Sequence, residues 1–226
     1  MPAEAATAPA GAGSAREPSS TRLALTLGLA GLISGLALVG IYELTLPRIT
    51  ANRAAALRAA VLKVVPGSKR MQKLVLAGGS AAVSHDDKQE GVFAAYDARG
   101  NFVGYAIPAQ GAGFQDTISL LYGYDPVRRR ITGMEVLESR ETPGLGDKIF
   151  KDETFRAEFT DLAVQPQVVL AKHGEGDEPH EVDAITGATI SSRAVVKIIN
   201  QANARWLSHL PGPEAVPAAS AQETQP

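Results

Sequence analysis

The 226-residue chain contains no cysteine, so disulfides, thiol nucleophiles, thiolate-held iron–sulfur clusters and thioether-linked haem are excluded together. Any redox chemistry must rest on a cofactor held in another way. Histidine is scarce as well: His85, His173, His180 and His209 stand in polar stretches without the HxxxH or HExxH spacing of a metal helix, and no metal site is expected. Aromatic residues make up only 5% of the chain, with a single tryptophan. Neither sign of charge is gathered into a block, and 22 basic residues against 24 acidic ones leave a net charge of -2. A nucleic-acid partner is therefore not expected.

What is present is unevenly distributed. The first 22 residues are rich in Ala, Pro, Gly and Ser, a composition that cannot bury enough apolar surface to offset the entropy of ordering, and a disordered tail is expected there. Residues 23–42 (LALTLGLAGLISGLALVGIY) carry no charge. As a helix rising about 1.5 Å per residue, such a run spans roughly the 30 Å core of a bilayer. It is longer than the apolar region of a cleaved signal and lacks an A-x-A-like site, which predicts a retained single-pass anchor. Gly31 and Gly35 form a GxxxG pair suited to close approach of another helix, although glycine is common in such spans. Arg16 and Arg22 precede the run and Arg48, Arg53 and Arg58 follow it, so charge alone says little about orientation.

Residues 43–74 read as a juxtamembrane amphipathic helix and linker, stopped at Pro66 and Gly67. A domain is expected over residues 75–210. GVFAAYDARGNFVGYAIPA predicts one hairpin turning at 97–101, and the runs 117–124 and 131–138 around DPVRRR predict a second. KIFKDETFRAEF suggests a short helix, 168–171 and 182–185 two further strands, and SSRAVVKIINQANARWLSHL a terminal helix before the breaker PGP. Residues 211–226 read as a second disordered tail. Hairpins with helices packed against them define an α+β domain.

Two motifs carry the chemistry. DAITGAT, residues 183–189, lies at a strand-to-helix junction, where backbone N–H groups and the helix dipole suit a phosphate; the same residues equally suit an ordinary N-cap. ETPGLG, residues 141–146, combines a fixed angle at Pro143 with glycines at 144 and 146 that admit a flat ligand, or simply make a turn into a helix.

Taken together and in this order behind one anchor, these motifs resemble the FMN-binding subunits of membrane redox complexes: the G subunit of the Rnf electron-transport complex and the C subunit of the Na+-translocating NADH:quinone oxidoreductase. The likeness runs from the anchor through VVPG, YAIPAQGAGFQDTISLLYGYDP and VLESRETPGLGDKI to DAITGATISSRAVV, most of residues 23–205. It implies a covalent flavoprotein in which the Thr189 hydroxyl forms a phosphoester with FMN, making the chain in that chemical sense a phosphoprotein. A separate Mg-dependent flavin transferase would install the group by reading Asp183, Gly187 and Ala188, with Thr186 lining the phosphate pocket. Glu141, Thr142, Pro143, Gly144, Leu145 and Gly146 would lie against the isoalloxazine. The resemblance further implies an electron-transfer subunit of an ion-translocating complex rather than an enzyme by itself. Its partners would be integral-membrane subunits, and its place the bacterial inner membrane with the FMN domain on the extracytoplasmic side. One departure is Ser139, where related sequences often carry histidine. An anchored binding or assembly module without flavin, or a stand-alone extracytoplasmic flavin reductase, are the rival readings.

Overall fold

The computed structural model describes residues 19–77, 80–84, 86 and 89–218, so most of the first expected tail and the end of the second lie outside the described residues. The chain divides into two compact units, residues 1–51 and 52–226. In the first, helix α1 (Ser20–Val64) begins, and its apolar part is long and apolar enough to cross a membrane. The separate anchor and juxtamembrane helices expected from sequence are one helix, with Pro47 inside it.

In the second unit the last turns of α1 bury Ala60, Val61 and Val64. Of the nine strands among the described residues, seven build the main sheet: β1 (Arg70–Ala77), β2 (Ser80–Val83), β3 (Val92–Tyr96), β4 (Phe102–Ala112), β5 (Thr117–Asp125), β6 (Arg130–Glu138) and β7 (Leu162–Ala163). They form one antiparallel sheet in the order β2-β1-β3-β4-β5-β6-β7. Both expected hairpins are present as β3–β4 and β5–β6. The sheet starts at Arg70, inside the stretch expected to be linker.

Side chains alternate across the sheet as the pleat requires. Ala94, Tyr105, Ile107, Leu120 and Tyr122 face one core, whereas Ala95, Ala106 and Leu121 face a smaller one shared with Val61, Val64 and Val65. Because both faces are covered, the central strands read as nearly continuous apolar runs. The larger core is closed by helix α4 (Thr189–Trp206) through Val195, Ile199, Ala202 and Trp206. Helices α2 (Lys148–Lys151) and α3 (Glu153–Ala157) replace the single short helix expected, because the Asp152 carboxylate caps a new start by accepting the N–H groups of Thr154 and Phe155. Strands β8 (Val169–Ala171) and β9 (Glu181–Asp183) pair in parallel as a small second sheet.

Residues 211–218, expected to belong to the second tail, are not a free tail. They lie on the domain: the Tyr105 hydroxyl donates to the Pro211 carbonyl at 2.6 Å, and that of Tyr96 to Pro217 at 2.6 Å. Burial raises the Tyr105 phenol far above its ordinary value, so it stays a donor.

Candidate functional site

Thr189 is the first residue of α4 and is exposed. The preceding Ala188 is buried, gives the helix no side-chain cap, and no acidic residue stands in the first turn. The first N–H groups of a helix have no intrahelical partner, so this terminus presents free donors and partial positive charge. An ordinary cap by Thr or Ser is not what forms. Among the described residues the Thr189 hydroxyl makes no hydrogen bond, while Ser192 points back to the loop, accepting from the Ile185 N–H at 3.2 Å and donating to the Ala188 carbonyl at 3.0 Å.

Gly187 adopts a φ of +81°, a conformation that side chains resist, and it makes the turn that carries the chain from β9 to α4. A Cβ there would lie 3.8 Å from the Lys148 ammonium and 3.9 Å from Leu145 Cδ2. Lys148 itself donates to the Thr186 carbonyl at 3.2 Å. The ETPGLG and TGAT segments, separated by some forty residues of sequence, are thus neighbours in space. Leu145 and Ile190, one in each segment, are exposed apolar side chains, at 51% and 55%.

The remaining residues of the first motif are placed differently from one another. Pro143 and Gly144 are exposed; Gly144 has a φ of +79°, which makes the turn possible. The Thr142 hydroxyl donates to Gln115 Oε1 at 2.9 Å. Gly146 is buried and packed so tightly that a Cβ would come within 2.8 Å of Ser191 Oγ. Glu141 is buried, 5% exposed. Its N–H donates to Ser139 Oγ at 3.3 Å, so the residue that departs from the related pattern fastens the start of the loop.

Asp183 does not face the acceptor with a free carboxylate. Its two oxygens accept the Gly174 N–H at 2.7 Å and the Gly176 N–H at 3.0 Å, pinning the loop between β8 and β9, while its own N–H donates to Glu158. Burial, with Asp183 nearby, holds the Glu158 carboxyl above the usual carboxylate range.

Residues that sequence reasoning did not single out complete the arrangement: Lys148, Ser191 and the turn of residues 113–116. Of two cavities on the domain, of about 370 and 270 Å³, neither is lined by Thr189, and Asp116 of that turn lines the smaller. The site is a surface junction. No group of His, Cys, Asp or Glu able to hold a metal occurs among the described residues. Free helix-terminal donors, one ammonium, an exposed hydroxyl and exposed apolar side chains are a set that fits a phosphate carrying a flat aromatic system.

A family model described as FMN-binding domain matches residues 113–204, which takes in the 113–116 turn, both motifs and nearly all of α4. The chain is 33% identical over 181 residues to the G subunit of the ion-translocating oxidoreductase complex of Haemophilus influenzae, covering 78% of this chain and 85% of that protein. To the protein of the same name from Methanosarcina acetivorans it is 43% identical over 106 residues, 47% of this chain and about half, 53%, of that relative. The fold is similar to the crystal structure of Shewanella oneidensis NqrC, with a TM-score of 0.55 and 20% identity over 66% of this chain and 91% of that one.

Proposed function

The chain belongs to the family of G subunits of ion-translocating oxidoreductase complexes, and from that premise we propose that it is their membrane-anchored electron-transfer subunit, carrying FMN esterified through its phosphate to Thr189. One observation carries the covalent part of this reading: the exposed, unbonded Thr189 hydroxyl at an uncapped helix start, with the Lys148 ammonium and Leu145 both beside the Gly187 turn. FMN, when bound, supplies the electron-carrying chemistry. The residues of this chain do the rest. The first turn of α4 and Lys148 neutralise the phosphate, Gly187 lets the backbone approach it, and residues 141–146 form a wall whose backbone is fixed at Pro143.

A Mg-dependent flavin transferase is the proposed maturation partner. The integral-membrane subunits of the complex are the proposed redox partners, and we place the FMN domain on the extracytoplasmic side of a bacterial inner membrane. The test is the intact mass of the full chain produced with the transferase, wild type beside Thr189→Ala. The wild type is expected to gain one FMN less one water, the variant nothing. In-gel flavin fluorescence after denaturation should follow the same pattern. A wild type that remains unmodified refutes the covalent assignment and leaves an anchored module without flavin.

A further inference from the structure

Glu141 opens the ETPGLG loop, yet its carboxylate turns inward to a junction of three segments. Oε1 accepts the N–H groups of Phe114 and Gln115 at 3.0 Å each and of Asp116 at 3.5 Å. Oε2 accepts the Ser191 hydroxyl at 2.5 Å, two residues beyond Thr189 in the first turn of α4. Two glycines leave room for it: a Cβ on Gly146 would stand 2.7 Å from Oε2, and one on Gly113 would overlap Oε1 and lie 2.7 Å from the Asp116 carbonyl. Burial opposes ionisation, but the Ser191 hydroxyl and the three N–H donors outweigh it and hold the carboxyl below its usual range. Consecutive N–H groups converging on one oxygen form an anion nest, a device often used for ligands. Here the chain's own carboxylate fills it.

We infer that Glu141 is a positioning residue: it ties the turn of residues 113–116 to the first turn of α4, making that turn, with Phe114 62% exposed, a third wall of the flavin site. A carboxylate suits the task because it accepts from several donors at once without needing a proton of its own. The wall rests on the FMN reading above, whereas the clamp does not.

The test uses the full chain in detergent as wild type, Glu141→Ala, Glu141→Gln, Ser191→Ala and Phe114→Ala. In chain without flavin, Glu141→Ala should speed amide hydrogen exchange at Phe114, Gln115 and Asp116 by about tenfold or more, since hydrogen bonds to a charged acceptor are lost. Glu141→Gln, whose side-chain oxygen still accepts, should restore most of the protection. In flavin-loaded chain, Glu141→Ala and Phe114→Ala should lower the fluorescence anisotropy of the attached flavin and weaken its visible circular dichroism, with Gln again rescuing. Unchanged exchange in Glu141→Ala overturns the clamp, and faster exchange with unaltered flavin signals overturns the wall. Should Glu141→Ala fail to fold, Ser191→Ala decides: lower anisotropy with residues 114–116 still protected supports the inference, and unaltered anisotropy refutes it. A wild type without flavin removes the wall along with the proposed function, and the exchange measurements then judge the clamp alone.

Discussion

Replacing Gly123 by alanine should unseat the end of α1 from the sheet. Gly123 and Gly133 are partners across β5 and β6, and together with Gly104 they leave a gap in the face that carries Ala95, Ala106 and Leu121. Into that gap comes the last turn of α1, where the Val64 carbonyl accepts the Thr132 hydroxyl at 2.5 Å. A methyl on Gly123 would overlap both the Val64 oxygen and Thr132 Oγ1 and stand 2.7 Å from the Val64 carbonyl carbon. Backbone atoms on one side and a strand on the other leave little to give way.

Overpacking of this kind costs about 1–3 kcal/mol, and loss of the Thr132 hydrogen bond roughly another 1 kcal/mol. At about 2–4 °C per kcal/mol for a domain of this size, the unfolding midpoint should fall by roughly 4–16 °C. Gly133→Ala is the graded comparison, since its Cβ would meet Val64 Cα at 3.3 Å, a squeeze rather than a collision. Gly212→Ala, with nothing within 4 Å, is the control. Near-ultraviolet circular dichroism of the full chain in detergent, followed against temperature, measures all three. A Gly123→Ala midpoint equal to wild type, or a larger loss in Gly133→Ala, refutes the steric argument.

The cation at the TGAT turn is open to a simpler test. Lys148→Met should reduce flavin incorporation at limiting transferase about two- to fivefold, the scale of a partly exposed charge pair, measured as flavin fluorescence per chain in denaturing gels. The pH dependence of stability carries the signature of Glu141, whose carboxyl is held below its ordinary value of 4.5. Its folded form prefers the ionised state, so its contribution is complete above that value and is lost as pH falls through the lowered one. Glu141→Gln should therefore lose less stability than wild type between neutral and acid pH, and an acid limb of equal steepness in the two proteins would count against the clamp's being charged.

The hairpins were legible because their turns announce themselves chemically: Asp97 accepts the N–H groups of Arg99 and Asn101, and Asp125 those of Val127 and Arg128. Strands β1, β2 and β7 were not. Lys73 and Gln72 interrupt the pattern of β1, although the buried Leu74 keeps its alternation, and β7 has only two residues. At the site, Thr189 and residues 141–146 were expected only because two motifs in this order resemble a known family; either motif alone suits a helix cap or a turn. The turn of residues 113–116 contributes backbone N–H groups, which any residue but proline supplies, so no residue type marks it. Lys148 and Ser191 stood unmarked because their value depends on which segment lies opposite. Asp183 shows the converse: the motif points to recognition by a transferase, while the folded chain uses both its oxygens to hold the β8–β9 loop.

The exposure of Thr189 bears on why the proposed covalent attachment would suit this fold. A flavin-sized ligand held without a bond ordinarily occupies a concave pocket of about 300–1,000 Å³ that buries most of its surface. Thr189 is instead exposed, and Leu145 and Ile190 of the two motif segments are more than half open to solvent, as is Phe114 of the inferred third wall. Such a surface contributes too little apolar burial to retain a mononucleotide against dilution, because ordering the ligand costs free energy that shallow contacts do not return. The proposed ester to Thr189 would make rebinding intramolecular, so even weak contacts would keep the ring seated most of the time. The openness that would lose a free ligand would then be useful, since a ring edge left outside the protein is one that the proposed membrane-bound redox partner could approach.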